Sequence, residues 1–199
     1  VCKLKEKYNI DNDFILYVGK IQSRKNIKGL LKAYCKLPDR SGRKPDLVLV
    51  GRVTWLSREI SDTIRELGLS DKVHITGHVP VEDLPVFYNA CSVFVFPSLL
   101  EGFGIPVIEA MACGTPVAVS KESSLPEISG DAALYFDPLD TSQMASCIER
   151  ILTDPELRKG LIIRGFERAA QFSWEETARR TLSVYRSVFL GNGKGQRRS

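Results

Sequence analysis

The stretch Val93-Phe-Val-Phe-Pro-Ser-Leu-Leu-Glu-Gly-Phe-Gly-Ile-Pro-Val-Ile-Glu109 decides the fold. Val93–Phe96 is a run of β-formers apolar on both faces, and Pro97-Ser98 ends it. A glycine-containing turn follows, and a helix opens at Pro106, placed at the first helical position where no N–H is needed. A strand buried on both faces and followed at once by a helix is the unit of a parallel sheet covered on each side. The turn itself suits an anion. Its backbone N–H groups, on Gly102, Phe103, Gly104 and Ile105, gather at the positive end of the helix dipole, and the glycines let main chain come close. Glu101 falls on the loop and Glu109 inside the helix, which are different kinds of position, so each carboxylate has its own role.

Similar runs recur at Phe14–Val18, Leu47–Val50, Val73–Ile75, Pro116–Val119 and Ala133–Phe136, with helical patterns between most of them. Six such strands predict an α/β domain with a doubly wound parallel sheet. After Phe136 the pattern is purely helical. Asp140 with Gln143 reads as a capping box for a helix whose core face holds Met144, Ile148 and Ile151. Asp154-Pro155 opens another helix, and Ser173 with Glu176 opens a last one. In that last helix Trp174, Ala178, Leu182, Tyr185 and Phe189 recur at helical spacing, a stripe for the core or for a partner domain, with the core as the commoner outcome. The domain is expected to span residues 1–190, with 191–199 a disordered basic tail.

With 199 residues, 43% hydrophobic and 26% charged, the chain is long enough for one substantial core. Its net charge of +4 owes three charges to Lys194, Arg197 and Arg198, so the body is nearly neutral and gives no footprint for nucleic acid. Cys2, Cys35, Cys91, Cys113 and Cys147 are odd in number and never in CxxC spacing, which reads as reduced thiols in a cytosolic protein. No apolar run reaches a membrane span. The start, Val1-Cys2-Lys3, has neither methionine nor a signal-type apolar stretch, and reads as a piece of a longer chain.

In an open parallel sheet, ligands sit at the carboxyl ends of the strands. Gly19-Lys20-Ile-Gln-Ser-Arg24-Lys25-Asn26 follows the first strand and brings three cations to a loop running into a helix, where Lys20, Arg24 and Lys25 can hold a diphosphate. Alone this is a solvated basic loop; beside the Glu101–Glu109 turn it becomes half of a site. A carboxylate in the helix can accept two bonds from a ribose diol, and one on the loop can hold sugar hydroxyls or an oxocarbenium-like centre. A glycosidase acid/base pair is the competing reading, but a hydrolase of neutral glycosides needs no surrounding cations. His74 and His78 have the spacing of a metal pair without a third ligand, so no metal is assigned. Asp11-Asn-Asp13 precedes the first strand and reads as a turn. There is no GxGxxG after the first strand to bind a nicotinamide cofactor. Ser123-Ser124-Leu125-Pro126-Glu127-Ile128 follows the fifth strand and either adds polar groups to the pocket or simply connects.

Taken together, YVGK at 17–20 with RKN at 24–26, HITGHVP at 74–80, FPSLLEGFGIPVIEAMACGTPV at 96–117 and SSLPEISGDAALYFDP at 123–138 resemble the C-terminal, donor-binding domain of a family 4 glycosyltransferase. The likeness runs from roughly Asp13 to Phe189. It implies a Rossmann-like half of a GT-B fold. It further implies retaining hexosyl transfer, mannosyl in particular, without an essential metal or cofactor, from GDP-mannose or a UDP-hexose, as in polysaccharide biosynthesis. On the matching positions, Lys20 and Lys25 would hold the diphosphate with Arg24, and Gly19 would give close backbone approach. Main chain near Val79 would meet the base, and Glu101 the transferred sugar. Gly102, Phe103, Gly104 and Ile105 would offer N–H groups to sugar and phosphate, and Glu109 would hold the ribose. The catalytic residues would be Glu101, Lys25 and Lys20. The sequence departs from the family at Lys20, where Arg is usual, and at Asn26, where Gly is usual; a Lys makes fewer directed bonds to phosphate. The resemblance also implies a missing N-terminal domain holding a glycan or lipid-linked acceptor. It implies a cytoplasmic location, with attachment to the inner face of the membrane through that domain as a further option. The alternatives of similar architecture are a sugar-nucleotide epimerase and a non-catalytic nucleotide-binding module.

Overall fold

Residues 7–8, 10, 13–39, 44–52 and 57–192 are described by a computed structural model. Six strands form one sheet: β1 (Phe14–Val18), β2 (Asp46–Val50), β3 (Val73–Gly77), β4 (Val93–Phe96), β5 (Val117–Ser120) and β6 (Ala133–Phe136). Every pairing is parallel, in the order β3-β2-β1-β4-β5-β6. The continuous apolar runs have their physical reason here, since every residue of β1, β2, β4 and β5 is buried. Four bounds differ from the sequence reading, among them the start of β2 at Asp46 and the end of β5 at Ser120. β3 runs on to Gly77, and β5 begins at Val117 because Pro116 has no N–H to pair, although its carbonyl still accepts from Phe94 N–H at 3.0 Å.

The chain lays down β1, β2 and β3 in one direction, then returns across to put β4 on the other side of β1. The order of strands therefore reverses between β1 and β4, and it is outside the carboxyl ends of strands at such a reversal that ligands bind in sheets of this kind. Helices cover the sheet: α1 (Ile27–Lys36), α2 (Ser57–Glu66), α3 (Leu84–Ala90), α4 (Ile105–Ala112), α5 (Leu125–Ser129), α6 (Thr141–Thr153) and α7 (Pro155–Ala169). On α6 the expected face is the buried one, with Met144, Ile148 and Ile151 fully covered. Each such side chain contributes about 1.5–3 kcal/mol through burial. Asp140 caps this helix by accepting from Ser142 N–H at 2.9 Å and Gln143 N–H at 3.0 Å. The return half of the box is altered: Gln143 Oε1 accepts from Asp137 N–H instead. Asp154 caps α7 through Leu157 N–H at 2.9 Å.

The described residues from Ala170 on belong to a second compact unit, built on α8 (Trp174–Asn192). Ser173 Oγ accepts from Glu176 N–H at 3.0 Å, as the capping signal predicts, while the Glu176 carboxylate pairs with Arg179 and Arg180. The core placement of the apolar stripe is corrected: Trp174, Ala178, Leu182, Tyr185 and Phe189 are all exposed. Periodicity identifies an apolar face but not what covers it. Of the expected tail, Gly191 and Asn192 end α8, and residues 193–199 lie outside the described residues, as do Cys2, Asp11 and Asn12. Cys35, Cys91, Cys113 and Cys147 are free thiols.

Candidate active site

Two turns meet at the reversal of strand order. After β1 the chain makes a single 3₁₀ turn, Ser23–Lys25, and after β4 it runs through Ser98–Gly104 into α4. The Arg24 carbonyl accepts from Leu99 N–H at 2.8 Å, which ties the turns together through main chain. Lys25 and Glu101 then complete the junction as an ion pair, their side chains only 10% and 9% exposed. The Lys25 ammonium also lies 4.9 Å from the centre of the Phe96 ring, on the last residue of β4. Lys20 and Arg24 are exposed on the same loop, Arg24 Nε donating to Gln22 Oε1 at 3.3 Å. Lys25 and Glu101 are thus brought together, with Arg24 in the same turn and Lys20 earlier on the loop after β1.

The sharp bend that turns Lys25 toward β4 is made at Asn26, which adopts a left-handed conformation with φ 55°. Of the residues with a side chain, Asn tolerates that region best, so it can stand where the resemblance leads one to expect Gly. The side chain adds something Gly lacks, a bond from Nδ2 to the Pro138 carbonyl at 2.7 Å. Close approach sets a second requirement. Gly51, after β2, packs so tightly on the main chain of Gly19 that any side chain there would collide with the Gly19 carbonyl. Gly19 N–H donates to the Val50 carbonyl and Gly51 N–H to the Gly77 carbonyl, both at 2.9 Å, so three strand ends are stitched into one rim.

In α4, Glu109 sits one turn beyond the helix start, as expected, and accepts a 2.8 Å bond from Tyr88 Oη. Burial and then the Glu109 carboxylate push the Tyr88 phenol far above its ordinary value, so it stays a donor and fixes one carboxylate oxygen. At the other end of the site, burial and then Glu101 push the Tyr17 phenol up in the same way. Between them Tyr17, Phe96, Phe94 and Tyr88 form a continuous row of rings, with centroids 6.1, 5.8 and 5.5 Å apart. The two carboxylates thus stand at opposite ends of one aromatic floor. Tyr88 carries no motif, and its pairing with Glu109 is legible only after folding.

The helix α4 begins at Ile105, so Pro106 is its second residue rather than its first; Gly104 is the N-cap, with φ 110°. Gly102 and Gly104 N–H donate to no group among the described residues. Phe103 and Ile105 are each 45% exposed where the turn enters α4. Val79 is buried just after β3, and the chain there turns through Pro80. The histidines are separated. His74 Nε2 lies 3.2 Å from Asp46 Oδ2, at the amino half of the sheet, and His78 lies beyond the end of β3. No cluster of three or more potential metal ligands occurs among the described residues. Nor is any described helix long and apolar enough to cross a membrane.

The profile of the family described as "Glycosyl transferases group 1" matches residues 3–168. The chain belongs to this family. Among its relatives, the O-antigen chain mannosyltransferase B of Escherichia coli is 39% identical over 182 residues, covering 91% of this chain and 48% of the relative. The serotype-specific mannosyltransferase WbdA of the same organism is 38% identical over 180 residues, covering 89% of this chain and 22% of its own length. Among solved structures, sucrose-phosphate synthase from Thermosynechococcus elongatus superposes with a TM-score of 0.82 at 35% identity, covering 96% of this chain and 49% of its own. Anabaena HepE, solved with UDP and glucose, has a TM-score of 0.81 at 22% identity, over 94% of this chain and 51% of its own. The chain thus has the fold of the C-terminal half of GT-B glycosyltransferases, and it spans about half or less of the relatives it matches.

Proposed function

We propose that this group 1 glycosyl transferase chain binds the donor for retaining hexosyl transfer, a nucleoside-diphosphate sugar that is GDP-mannose or a UDP-hexose. The observation that carries the reading is the meeting of a cationic turn and an acidic turn at the reversal of strand order, Lys25 against Glu101, next to the amides of Gly102 and Gly104, which donate to no group among the described residues. Lys20, Arg24 and Lys25 would neutralise the diphosphate as the bond from the anomeric carbon to the phosphate oxygen breaks and its electron pair leaves on phosphate. They provide the positive charge that a metal supplies elsewhere, which favours a metal-independent reaction. Glu109, with one oxygen held by Tyr88, has the other for a ribose hydroxyl. Glu101, at the far end of the aromatic floor, faces the sugar. Mannose is favoured because relatives 38–39% identical over most of the chain are mannosyltransferases. The acceptor, a glycan or lipid-linked sugar, is assigned to a further domain, in keeping with coverage of about half of each solved relative.

Calorimetry of the chain with GDP, UDP, ADP and their sugars tests this. A guanosine or uridine diphosphate should bind, and its sugar conjugate should bind more tightly. Absence of binding at millimolar ligand, with the thermal transition intact, refutes the donor assignment.

A further inference from the structure

The turn that carries Glu101 is shaped from behind by the connection between β5 and α5, and one hydroxyl there does more than connect. Ser124 Oγ lies 3.2 Å from the Glu101 carbonyl and 2.9 Å from the Phe103 carbonyl, and its proton can be given to either. We propose that Ser124 is a positioning residue for the donor site, which aims the amides of Gly102 and Gly104 at the anionic part of the donor; this rests on the donor reading above.

The argument is peptide geometry. In a planar trans peptide, the carbonyl of one residue and the N–H of the next point in opposite directions. No described peptide is cis. Drawing the carbonyls of Glu101 and Phe103 toward α5 therefore turns the N–H groups of Gly102 and Gly104 away from it. Neither of these amides donates to a group among the described residues. Without the hydroxyl, the peptide between Glu101 and Gly102 and that between Phe103 and Gly104 could each rotate, and the amides would lose their common direction.

Two further features hold the clamp in place. Leu125, fully buried and next in sequence, lies so close beneath Gly104 that an added Cβ would come within 2.9 Å of its Cδ2. The turn therefore rests on α5 at a fixed height, within reach of Ser124. Ser123, immediately before, has φ 59°, a left-handed conformation that a serine adopts at a cost. This bend sets the start of α5 and with it the direction of the Ser124 side chain. Neither Ser124 nor Leu125 reaches the donor in this reading; both act through the turn.

The test compares wild type, Ser124→Ala and Ser124→Thr by calorimetry with GDP, UDP and the matching nucleosides, and by backbone 15N relaxation of the segment 101–105 without ligand. Ser124→Ala should weaken nucleoside diphosphate binding by about five- to tenfold, the loss of one hydrogen bond. It should leave nucleoside binding unchanged and lower the 15N order parameters at Gly102 and Gly104, whose peptides are then free to rotate. Ser124→Thr keeps the hydroxyl and should restore both. Unchanged diphosphate affinity in Ser124→Ala, equal losses for diphosphate and nucleoside, or failure of Ser124→Thr to restore binding each overturns the proposal. If wild type binds no nucleotide, the donor reading fails and takes the clamp's purpose with it; the relaxation comparison then separates that failure from a turn that Ser124 does not order.

Discussion

Lys25 and Glu101 are 76 positions apart in sequence and form an ion pair that is nine-tenths removed from solvent, at the point where the order of strands reverses. Two buried charges that satisfy one another are kept at a desolvation cost, so such a pair is weak evidence for stability and better evidence for a site. It also holds the Lys25 ammonium over the Phe96 ring, so that little of that side chain's freedom remains to be lost when a ligand arrives.

Removing one partner leaves the other charge buried without compensation. Lys25→Met or Glu101→Leu alone should therefore destabilise the fold by about 3 kcal/mol. The double variant should lose clearly less than the sum, because neither charge remains. Urea denaturation of the four proteins gives the coupling directly. Additive losses would show that the pair is not formed in solution.

Glu109→Ala should weaken nucleotide binding by about 1.5–3 kcal/mol, the range for a hydrogen bond to a charged group. Tyr88→Phe keeps the ring packed on Phe94 and removes only the bond that orients Glu109, so a smaller loss of about 1 kcal/mol is expected. Calorimetry with the preferred nucleotide checks both. An effect of Tyr88→Phe as large as that of Glu109→Ala would mean that the phenol, rather than the carboxylate, meets the ribose.

These two pairs mark how far the sequence could be read. Five of the six strands begin or end where the apolar runs do, and Lys25, Glu101 and Glu109 lie at adjacent strand ends, because strand and turn signals are local and the parallel sheet puts successive carboxyl ends on one side. Tyr88 and Glu109 come together through packing of α3 on α4, and Ser124 reaches Glu101 across the gap from β5 to β4. Such contacts depend on tertiary register and have no spacing rule. The stripe of α8 failed for a related reason: period 3.6 records that a face is apolar, and nothing in the period names its partner.

The left-handed bend at Asn26 is open to a direct test. Asn26→Ala places a Cβ-bearing residue without a polar side chain in that region, at about 1–2 kcal/mol, and also loses the bond to the Pro138 carbonyl. Asn26→Gly loses the same bond and relieves the backbone, so it should lie closer to wild type. Unfolding midpoints in that order, wild type above or near Gly and both above Ala, are expected. Equal stability of the Gly and Ala variants would show that the backbone conformation carries no cost.

Glu101 and Glu109 stand at opposite ends of the row Tyr17, Phe96, Phe94 and Tyr88, and this separation predicts different binding signatures. A carboxylate that faces the sugar matters only when the sugar is present. Glu101→Gln retains an acceptor and a similar shape, but weakens the pair with Lys25 and the bonds to sugar hydroxyls. Affinity for the bare nucleoside diphosphate should therefore change little, while the extra affinity of the sugar conjugate over it should fall about tenfold, the value of one charge-assisted bond. Glu109→Gln should do the reverse, lowering affinity for both ligands and leaving their ratio intact. Calorimetric titration of each variant with the nucleotide and with its sugar conjugate gives the two ratios, and a loss of bare-nucleotide affinity shared equally by both variants would refute the division of roles.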